Sequence, residues 1–305
     1  MINTVLSIEA PAKINVHLRV KKRRLDGYHE LESVFLALAL GDVLCFELTG
    51  DEGECVIHGA GDIPRGRNIV DKAVSLFRAR TGFSRGVRVC LEKRIPLGAG
   101  LGGGSSDAAS TLRALNVLGA TDLSEEALLA MAQSLGSDVP FFLYGGAAFV
   151  SGRGERIRPI EAPRGLWVVL VYPGFPSGTA EAFRLLDETR EQTMPGEVDP
   201  GDTLSPAVLI GALQEHPSQW PYGNDFLPVF LTAGIPEAAE AYRRILADLA
   251  ALGADFSGLS GAGSSCFGIF IDGGVAEKAK NILAQQWNFV QLTFFLARLG
   301  NGVLK

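Results

Sequence analysis

The feature of this sequence that most restricts its fold is a glycine-rich segment, in which five of the residues 98–104 are glycine. The segment follows Gly86–Glu92, an alternating stretch typical of a β-strand, and precedes a stretch that predicts a helix over 106–118. Successive glycines let backbone N–H groups approach an anion closely, and a helix N-terminus adds partial positive charge. The segment therefore predicts a phosphate-binding loop, because a tight turn alone would not need five glycines.

The glycine spacing also matches the dinucleotide-binding pattern G-x-G-x-x-G, through Gly98, Gly100 and Gly103. In that fold the strand runs straight into the first glycine, and an acidic residue ends the next strand about 20 residues later. Here residues 93–96 separate strand from loop, and the acid near that distance, Asp122, is expected to cap a helix. A dinucleotide site is therefore the weaker interpretation.

A P-loop does not fit, because of the residue at position 104. Its pattern, G-x-x-x-x-G-K-[ST], needs a lysine that supplies charge to the phosphates, and this chain has Gly104 there. The remaining interpretation is a glycine loop in which Ser105 or Ser106 bonds a phosphate or helps to hold Mg²⁺.

Length and composition suggest a two-domain globular protein. The chain has 305 residues, and we place the division between 1–163 and 164–305. Hydrophobic residues make up 47%, which is enough to bury a core and excludes a disordered linker. The net charge is −6, so binding to nucleic acids is not expected.

The sequence gives no signal for secretion or for a membrane span. The N-terminus lacks a basic region followed by a cleavage pattern, and no stretch of about 18 apolar residues occurs. Cys45, Cys55, Cys90 and Cys266 form no Cys-x-x-Cys pair, so we expect buried, reduced thiols rather than disulfides or a zinc site. These observations predict a cytoplasmic protein.

The N-terminal segment 8–20 alternates apolar and polar residues, which predicts a strand with one buried face. The polar face carries Lys13, Asn15 and His17 side by side. On this pattern alone, a solvated face is the simpler interpretation of Lys13, and a packed side chain is the simpler one of His17.

The second half of the chain alternates strands and helices in the order β-α-α-β-α-β, which predicts an antiparallel α+β layer. The stretch 191–224 is rich in Pro, Gly and Asp and predicts a loop-bearing insertion. The strands are predicted at 165–172, 265–271 and 289–296, and the long helices at 236–252 and 275–287.

Three segments resemble, in order, the motifs of the GHMP small-molecule kinase family. They are residues 11–15 (Pro-Ala-Lys-Ile-Asn), the glycine loop with its two serines, and residues 260–264 (Ser-Gly-Ala-Gly-Ser). The resemblance implies an α+β fold of two domains, the first like domain 2 of ribosomal protein S5 and the second ferredoxin-like. The third segment departs from the family, because it has Ala262 where Ser or Thr is usual, so that side chain is given no role.

Five runs resemble one branch of this family, which phosphorylates the 2-hydroxyl of a cytidine-diphosphate sugar alcohol in the non-mevalonate route to isoprenoids. The resemblance implies that ATP and an alcohol give ADP and a phosphate monoester, with Mg²⁺. The alternatives are another alcohol kinase (homoserine, mevalonate or galactose type), an inactive sensor or scaffold, and an RNA-binding protein. The runs lie at 12–18, 26–31, 102–109, 135–142 and 224–229.

The resemblance assigns the catalytic roles to Asp138 and Lys13. Asp138 would accept the hydroxyl proton, and the ammonium beside it would keep the carboxylate ionised and stabilise the attacking oxygen. From the residues alone, Asp138 with Pro140 two positions later is more typical of a helix N-cap.

The resemblance also implies the nucleotide site, with Asn68 and Lys93 near the adenine. Lys93 is equally typical of an exposed charge at the end of a strand. The other nucleotide-binding residues would be Pro96, Gly98, Gly100, Leu101, Gly102, Gly103, Gly104, Ser105 and Ser106.

For the second substrate, the resemblance implies that Tyr28 stacks on the cytosine and His29 bonds its edge, with Phe183 on the opposite face of the base. Phe183 is equally suited to the core face of a helix, and Thr179 to a helix cap. The partners would be these small molecules only, bound by a monomer or a homodimer. The full set of substrate-binding residues is Asn15, Tyr28, His29, Asp138, Thr179, Phe183, Gly261 and Gly263.

Overall fold

The computed structural model describes residues 5–59, 68–193, 204–297 and 303–304, in two sheets and their covering helices. The strands are β1 (Val5–Arg23), β2 (His29–Thr49), β3 (Cys55–His58), β4 (Gly86–Glu92), β5 (Ala147–Gly152), β6 (Arg156–Ile160), β7 (Trp167–Tyr172), β8 (Phe256–Leu259), β9 (Cys266–Phe270), β10 (Phe289–Phe294) and β11 (Val303–Leu304). The α-helices are α1 (Ile69–Thr81), α2 (Gly103–Leu118), α3 (Glu125–Leu135), α4 (Phe141–Tyr144), α5 (Thr179–Thr193), α6 (Pro206–Ala212), α7 (Phe226–Thr232), α8 (Pro236–Ala251) and α9 (Gly273–Leu283).

The first sheet is built around a long hairpin of β1 and β2. Its strand order is β11-β1-β2-β4-β3. In addition, β5 pairs with the first half of β2, and β6 pairs with β5. The pairing is antiparallel except between β3 and β4, which run parallel and are joined by α1. Because β2 pairs with β5 along one half and with β4 along the other, one strand connects both parts of the sheet.

The second sheet has the strand order β10-β7-β9-β8, with every pair antiparallel. In chain order its elements run strand, helices, two strands, helix, strand, which is the ferredoxin-like arrangement that the family resemblance implied. The predicted α+β class is confirmed. The domain division at residue 163 stays a prediction.

The two sheets share a core. Helices α1, α2 and α3 cover one face of the first sheet. On its other face, Ile14 and Leu36 pack in one cluster with Leu170 and Phe267 of the second sheet. The outer face of the second sheet, which carries Val169, is covered by α8 and α9. The protein therefore has four layers, in the order helices, sheet, sheet, helices.

Several predicted boundaries were wrong. Gly41 and Asp42 are residue types that favour turns and predict a turn between two strands at 34–40 and 43–48, but β2 runs through both without interruption. Helix α2 begins three residues earlier than expected, so Ser106 lies inside it. The cap of α3 is Ser124, whose side chain accepts from Ala127 N, and not Asp122.

The predicted insertion at 191–224 is less loop-like than expected. Residues 194–203 lie outside the described residues, but the rest contains the end of α5, helix α6 and a short 3₁₀ turn at Pro217–Gln219. Proline begins both α6 and the 3₁₀ turn, a position where its missing N–H costs nothing. Two of the prolines in this stretch, Pro206 and Pro217, therefore mark helix starts.

The cysteines also differ from the prediction. Cys266 is buried, but Cys90 is exposed and Cys45 and Cys55 are half-buried, and all four are outside disulfides. Among the residues described, no helix is long and apolar enough to cross a lipid bilayer.

Candidate active site

A cavity of about 490 Å³ lies where β1, the glycine loop (residues 98–104) and the third-motif loop (residues 260–264) meet. Ser106, Tyr28 and His29, all predicted site residues, do not line it. The other predicted site residues do line it: Lys13, Asn15, Asn68, Lys93, Pro96, Gly98, Gly100, Leu101, Gly102, Gly103, Gly104, Ser105, Asp138, Thr179, Phe183, Gly261 and Gly263.

The glycine loop has its carbonyl groups turned into the protein. In the described parts of the chain, the backbone N–H groups of residues 102–105 have no acceptor. These donors open α2, so they are available to an anion, as the glycine content predicted. The carbonyl oxygens of residues 98, 99, 100 and 101 accept hydrogen bonds of 2.9–3.0 Å from Ser177 N, Ser265 N, Ser260 Oγ and Lys13 N, respectively.

Gly100 is the point at which the two glycine-containing loops touch. Its φ is +75°, and a Cβ at this position would lie 2.3 Å from the carbonyl oxygen of Ser260 and 2.6 Å from that of Gly263. The third-motif loop thus packs on the glycine loop through backbone atoms, with no room for a side chain. A glycine at 100 is required both by the conformation and by the contact.

The serines near these loops differ in what they can reach. Ser105 lines the cavity, whereas Ser106 is fully buried within α2. Ser264 and Ser265, the hydroxyl residues that follow Ala262 in the third-motif loop and at its end, are also fully buried, and Ser264 donates to the Phe175 carbonyl. Among these four, Ser105 is the one placed to bond a ligand.

Lys13 lies at the centre of the cavity wall, and the residue is only 4% exposed. Its Nζ donates to Asn15 Oδ1 at 2.6 Å and lies 3.4 Å from Asp138 Oδ2. The ring of Phe35 lies beneath it, with its centroid 4.7 Å from Nζ. Because Asn15 Nδ2 donates to Ser33 Oγ at 3.0 Å, the amide is fixed and in turn fixes the ammonium.

Asp138 comes from the turn between α3 and α4, more than 100 residues from Lys13 in the chain. It does not cap α4, whose N-cap residue is Pro140, so the alternative interpretation as a helix cap is wrong. Its side chain is 34% exposed and faces the cavity. A carboxylate that is paired with a buried ammonium and still open to the cavity can meet a hydroxyl group.

Asn68 and Lys93 also line the cavity. Asn68 caps α1 through Oδ1, which accepts from Val70 N at 2.9 Å, and its buried Nδ2 has no partner among the residues that the structure describes. Lys93 is not an exposed strand-end charge, because its Nζ bonds Asp42 and, at 2.9 Å, Asp107 Oδ2.

The two acids around Lys93 were not predicted as site residues. Burial raises the pKa of Asp107 to about 7, although the nearby Lys93 charge opposes the shift. Burial alone would lower the pKa of Lys93, but the charges of Asp107 and Asp42 outweigh it and raise that pKa. Asp107 could have been identified as a site residue from its place directly after the two loop serines. Asp42 gave no such signal, because its sequence context is typical of a turn.

The predicted cytosine-binding residues are arranged differently from expectation. Tyr28 is 58% exposed, and the Arg153 guanidinium lies 4.7 Å from its ring centroid. His29 is buried and stacks on Phe183, with centroids 5.1 Å apart, and its Nε2 lies 2.8 Å from Asp187 Oδ1. Tyr28 lies in the turn before β2, whereas His29 is the first residue of that strand, and of the two rings it is His29 that packs on Phe183.

His17 is packed, as predicted. It is buried beside Tyr222, and its Nδ1 accepts a long hydrogen bond of 3.4 Å from Gly223 N. Burial and, second, the charge of Arg19 lower its pKa to about 4. The folded protein therefore holds this imidazole neutral.

We expect His17 to make the protein less stable as the pH falls. Between about pH 6.5 and 4 the unfolded chain binds a proton that the folded protein does not. The free energy of unfolding therefore falls by up to roughly 3 kcal/mol over this range. Asp107 acts in the opposite sense, because its raised pKa makes stability fall as the pH rises from about 4 to 7. The free energy of unfolding, measured with urea at several pH values, should fall less steeply towards low pH for His17→Gln than for the parent. His216→Gln, a substitution at an exposed site, should show the same pH dependence as the parent.

The fold and this arrangement of loops agree with the models of one protein family. Residues 68–146 match the model of the GHMP kinases N terminal domain, and residues 220–288 match the GHMP kinases C terminal model. The chain belongs to the GHMP kinase family of ATP-dependent phosphotransferases, and it is an enzyme of that class.

Within the family, the chain is similar over nearly its whole length to 4-diphosphocytidyl-2-C-methyl-D-erythritol kinases. It is 38% identical to the enzyme of that name from Treponema pallidum (strain Nichols), over 92% of this chain and 96% of the relative. It is 36% identical to that from Thermodesulfovibrio yellowstonii, over 93% and 96%. The resemblance stated from the motifs is confirmed.

Solved structures agree. A crystal structure of 4-(cytidine 5'-diphospho)-2C-methyl-D-erythritol kinase matches with a TM-score of 0.78 and 34% identity, over 97% of this chain and 100% of the other. A homoserine kinase from Cytophaga hutchinsonii matches with a TM-score of 0.68 but 18% identity, over 99% and 97%, which shows the shared fold alone.

Proposed function

We propose that this enzyme transfers the γ-phosphoryl group of ATP to the 2-hydroxyl of 4-diphosphocytidyl-2-C-methyl-D-erythritol. The observation that carries the proposal is the Lys13–Asp138 pair, which faces the N-terminal turn of α2 across one cavity. The names of the relatives supply the acceptor alcohol. The reaction is a step of isoprenoid precursor synthesis by the non-mevalonate route.

The glycine loop suits the phosphates of ATP. Its carbonyl groups are used internally, so the N–H groups at the start of α2 give a positive, unobstructed surface for the phosphates. Asn68 suits the adenine, because it lines the cavity and its Nδ2 has no partner in the described part of the chain. Lys93 is held by two carboxylates, so we assign it a positioning role there rather than a direct phosphate contact.

The reacting groups are Lys13 and Asp138, which line the same cavity. Asp138 accepts the proton of the 2-hydroxyl, while the Lys13 ammonium, 3.4 Å from the carboxylate, stabilises the negative charge that develops on the attacking oxygen. Asn15 holds Lys13 rather than the substrate, because its amide already bonds both Lys13 and Ser33. Burial of Lys13 strengthens this electrostatic effect, since water is largely excluded.

Magnesium is expected to enter with the nucleotide. No group of three His, Cys, Asp or Glu side chains in the described residues could hold an ion by itself. Mg²⁺ commonly takes phosphate oxygens and one or two protein oxygens, and Ser105 lines the cavity with a hydroxyl suited to it. The ion would neutralise charge on the phosphates during transfer.

The cytidine end of the acceptor would lie by Thr179 and Phe183, which line the cavity on the α5 side. Phe183 offers a ring for stacking, and that ring is supported by His29, which stacks on it and is itself held by Asp187. Tyr28 would reach the base only by a rearrangement of the exposed turn between β1 and β2. Gly261 and Gly263 contribute backbone surface between the two substrates.

The experiment that tests the proposal is ADP release with ATP and Mg²⁺ from four alcohols. These are the cytidine compound, mevalonate, homoserine and galactose. We expect kcat/KM for the cytidine compound to exceed the others by at least about a hundredfold, because only it carries a base for the aromatic site. A preference for another alcohol would keep the kinase chemistry and reject the acceptor, whereas no ADP from any of them would reject the reaction as a whole.

A further inference from the structure

The outer face of the first sheet carries two cysteines directly opposite each other. The antiparallel register of β2 and β4 places Cys45 against Cys90. Neighbouring residues of β4, such as Val89 and Leu91, point to the opposite face and are buried under the helices. Cys90 is exposed and Cys45 half-buried, and neither lines the kinase cavity.

The spacing of facing residues suits a disulfide. Opposed residues of antiparallel strands have Cα atoms about 4.5 or 5.5 Å apart, and disulfides span about 4.4–6.8 Å. The Cys45 Sγ at present donates a weak bond of 3.6 Å to Ser7 Oγ, on the strand at its other side. To form the disulfide, the Cys45 Sγ must leave Ser7 Oγ and turn towards its register partner Cys90.

A third residue with relevant chemistry, His58, lies next to this cysteine pair on the sheet. His58 of β3 is the register partner of Cys90 on its second side and is exposed on the same face. A neutral imidazole next to a thiol can accept the thiol proton and so supply the thiolate, which is the reactive form. The exposed Cys90, between His58 and Cys45, is therefore placed to react first.

We propose that Cys45 and Cys90 are a redox-active dithiol that a hydroperoxide converts into a disulfide between β2 and β4. The Cys90 thiolate attacks the O–O bond, which gives a sulfenic acid and releases the alcohol (water, for hydrogen peroxide). The Cys45 sulfur then attacks the Cys90 sulfur and expels water. In sum, two thiols and one hydroperoxide give one disulfide, one alcohol and one water.

Such a disulfide would be easily reversed. It would lie on a solvent-facing sheet surface, where reductants reach it, and exposed disulfides are the labile ones. The pairing of β2 with β4 also brings Asp42 and Lys93 together. Asp42 lies three residues before Cys45, and Lys93 lies three residues after Cys90. The site is thus a modification site outside the kinase cavity but on the strands that support it.

The test is treatment of the whole protein with hydrogen peroxide, followed by intact mass and peptide mapping. We expect a mass about 2 Da lower, a peptide that joins 45 to 90, and full reversal by dithiothreitol. Cys45→Ser should instead leave a sulfenic acid at Cys90 that a cyclic dione traps. Cys55→Ser is the matched control, because Cys55 pairs with Val87 and packs against the core, and this variant should behave as the parent does.

Three results would overturn the proposal. They are oxidation of Cys90 to sulfinic acid with Cys45 still a thiol, a disulfide between two copies of the chain, and a bond that includes Cys55. Urea unfolding of each variant before oxidation checks that the sheet is intact, so that failure to oxidise is not a failure to fold.

Discussion

Substitution of Asp138 by Asn is expected to lower kcat by about a thousandfold, because the amide cannot accept the hydroxyl proton. The substitution keeps the size of the side chain and removes its charge, which lies 3.4 Å from Lys13 Nζ. The affinity for ATP should change by less than about threefold, since the proposed base acts mainly on the transition state. Single-turnover kinetics with the cytidine compound and calorimetry with ATP measure the two quantities separately.

Two outcomes would argue against this role for Asp138. A kcat within tenfold of the parent would mean that the carboxylate only pairs with Lys13. A loss of ATP affinity equal to the loss of kcat would mean that it acts through the nucleotide, for example as an ion ligand. Lys13→Met is a useful companion variant, because it removes the ammonium and leaves Asp138 in place; it should lower kcat even if the carboxylate remains well positioned.

Gly100→Ala is expected to have the largest effect on both stability and nucleotide binding. The new Cβ would lie 2.3 Å from the Ser260 carbonyl oxygen, in a residue with a φ of +75°. The conformational cost and the overlap together should lower the free energy of unfolding by about 3–5 kcal/mol. Because the backbone must shift to relieve the overlap, the N–H groups of the loop would be misplaced and ATP affinity should fall at least tenfold.

Gly104→Ala is the matched control in the same loop. A Cβ there has no neighbour nearer than Ile69 Cγ2, at 3.7 Å, and position 104 lies in the first turn of α2. This variant should retain stability within about 1 kcal/mol, since alanine favours the helix. Equal damage from both substitutions would show that the loop needs glycine for close approach of a ligand rather than for packing against residues 260–264.

The sequence predicted most helices and strands well, but it did not reveal which polar residues within them would be buried. Gly41 and Asp42 looked like a turn because both residue types favour turns. In the structure Asp42 is fully buried in a continuous strand, and its Oδ1 accepts from Arg94 N and Ile95 N. Those donors lie about 50 residues away, so no local pattern could reveal that the acid would be satisfied there.

In the candidate site too, contacts between residues close in sequence were predictable from the local pattern, and contacts between distant residues were not. The alternation of β1 correctly placed Lys13 and Asn15 on one face, where they hydrogen-bond. The approach of Asp138 to Lys13 followed only from the family motifs, since the two residues are far apart in the chain. Tyr28 and His29 were assigned together because they are adjacent, yet Tyr28 stays in the exposed turn while His29 enters β2 and packs on Phe183.

The pairing of β1 with β11 has a consequence for how the chain acquires its structure. Leu6 is the partner of Leu304, and the core beneath β1 is completed by strands from the second half. At about 5–20 residues per second, a ribosome needs roughly 15–60 s to deliver the segment that covers the first strand. Until that segment has been made, the apolar residues of β1 that face the second sheet lack the partners that cover them in the folded protein, so the first sheet can complete its core only after synthesis of the second half.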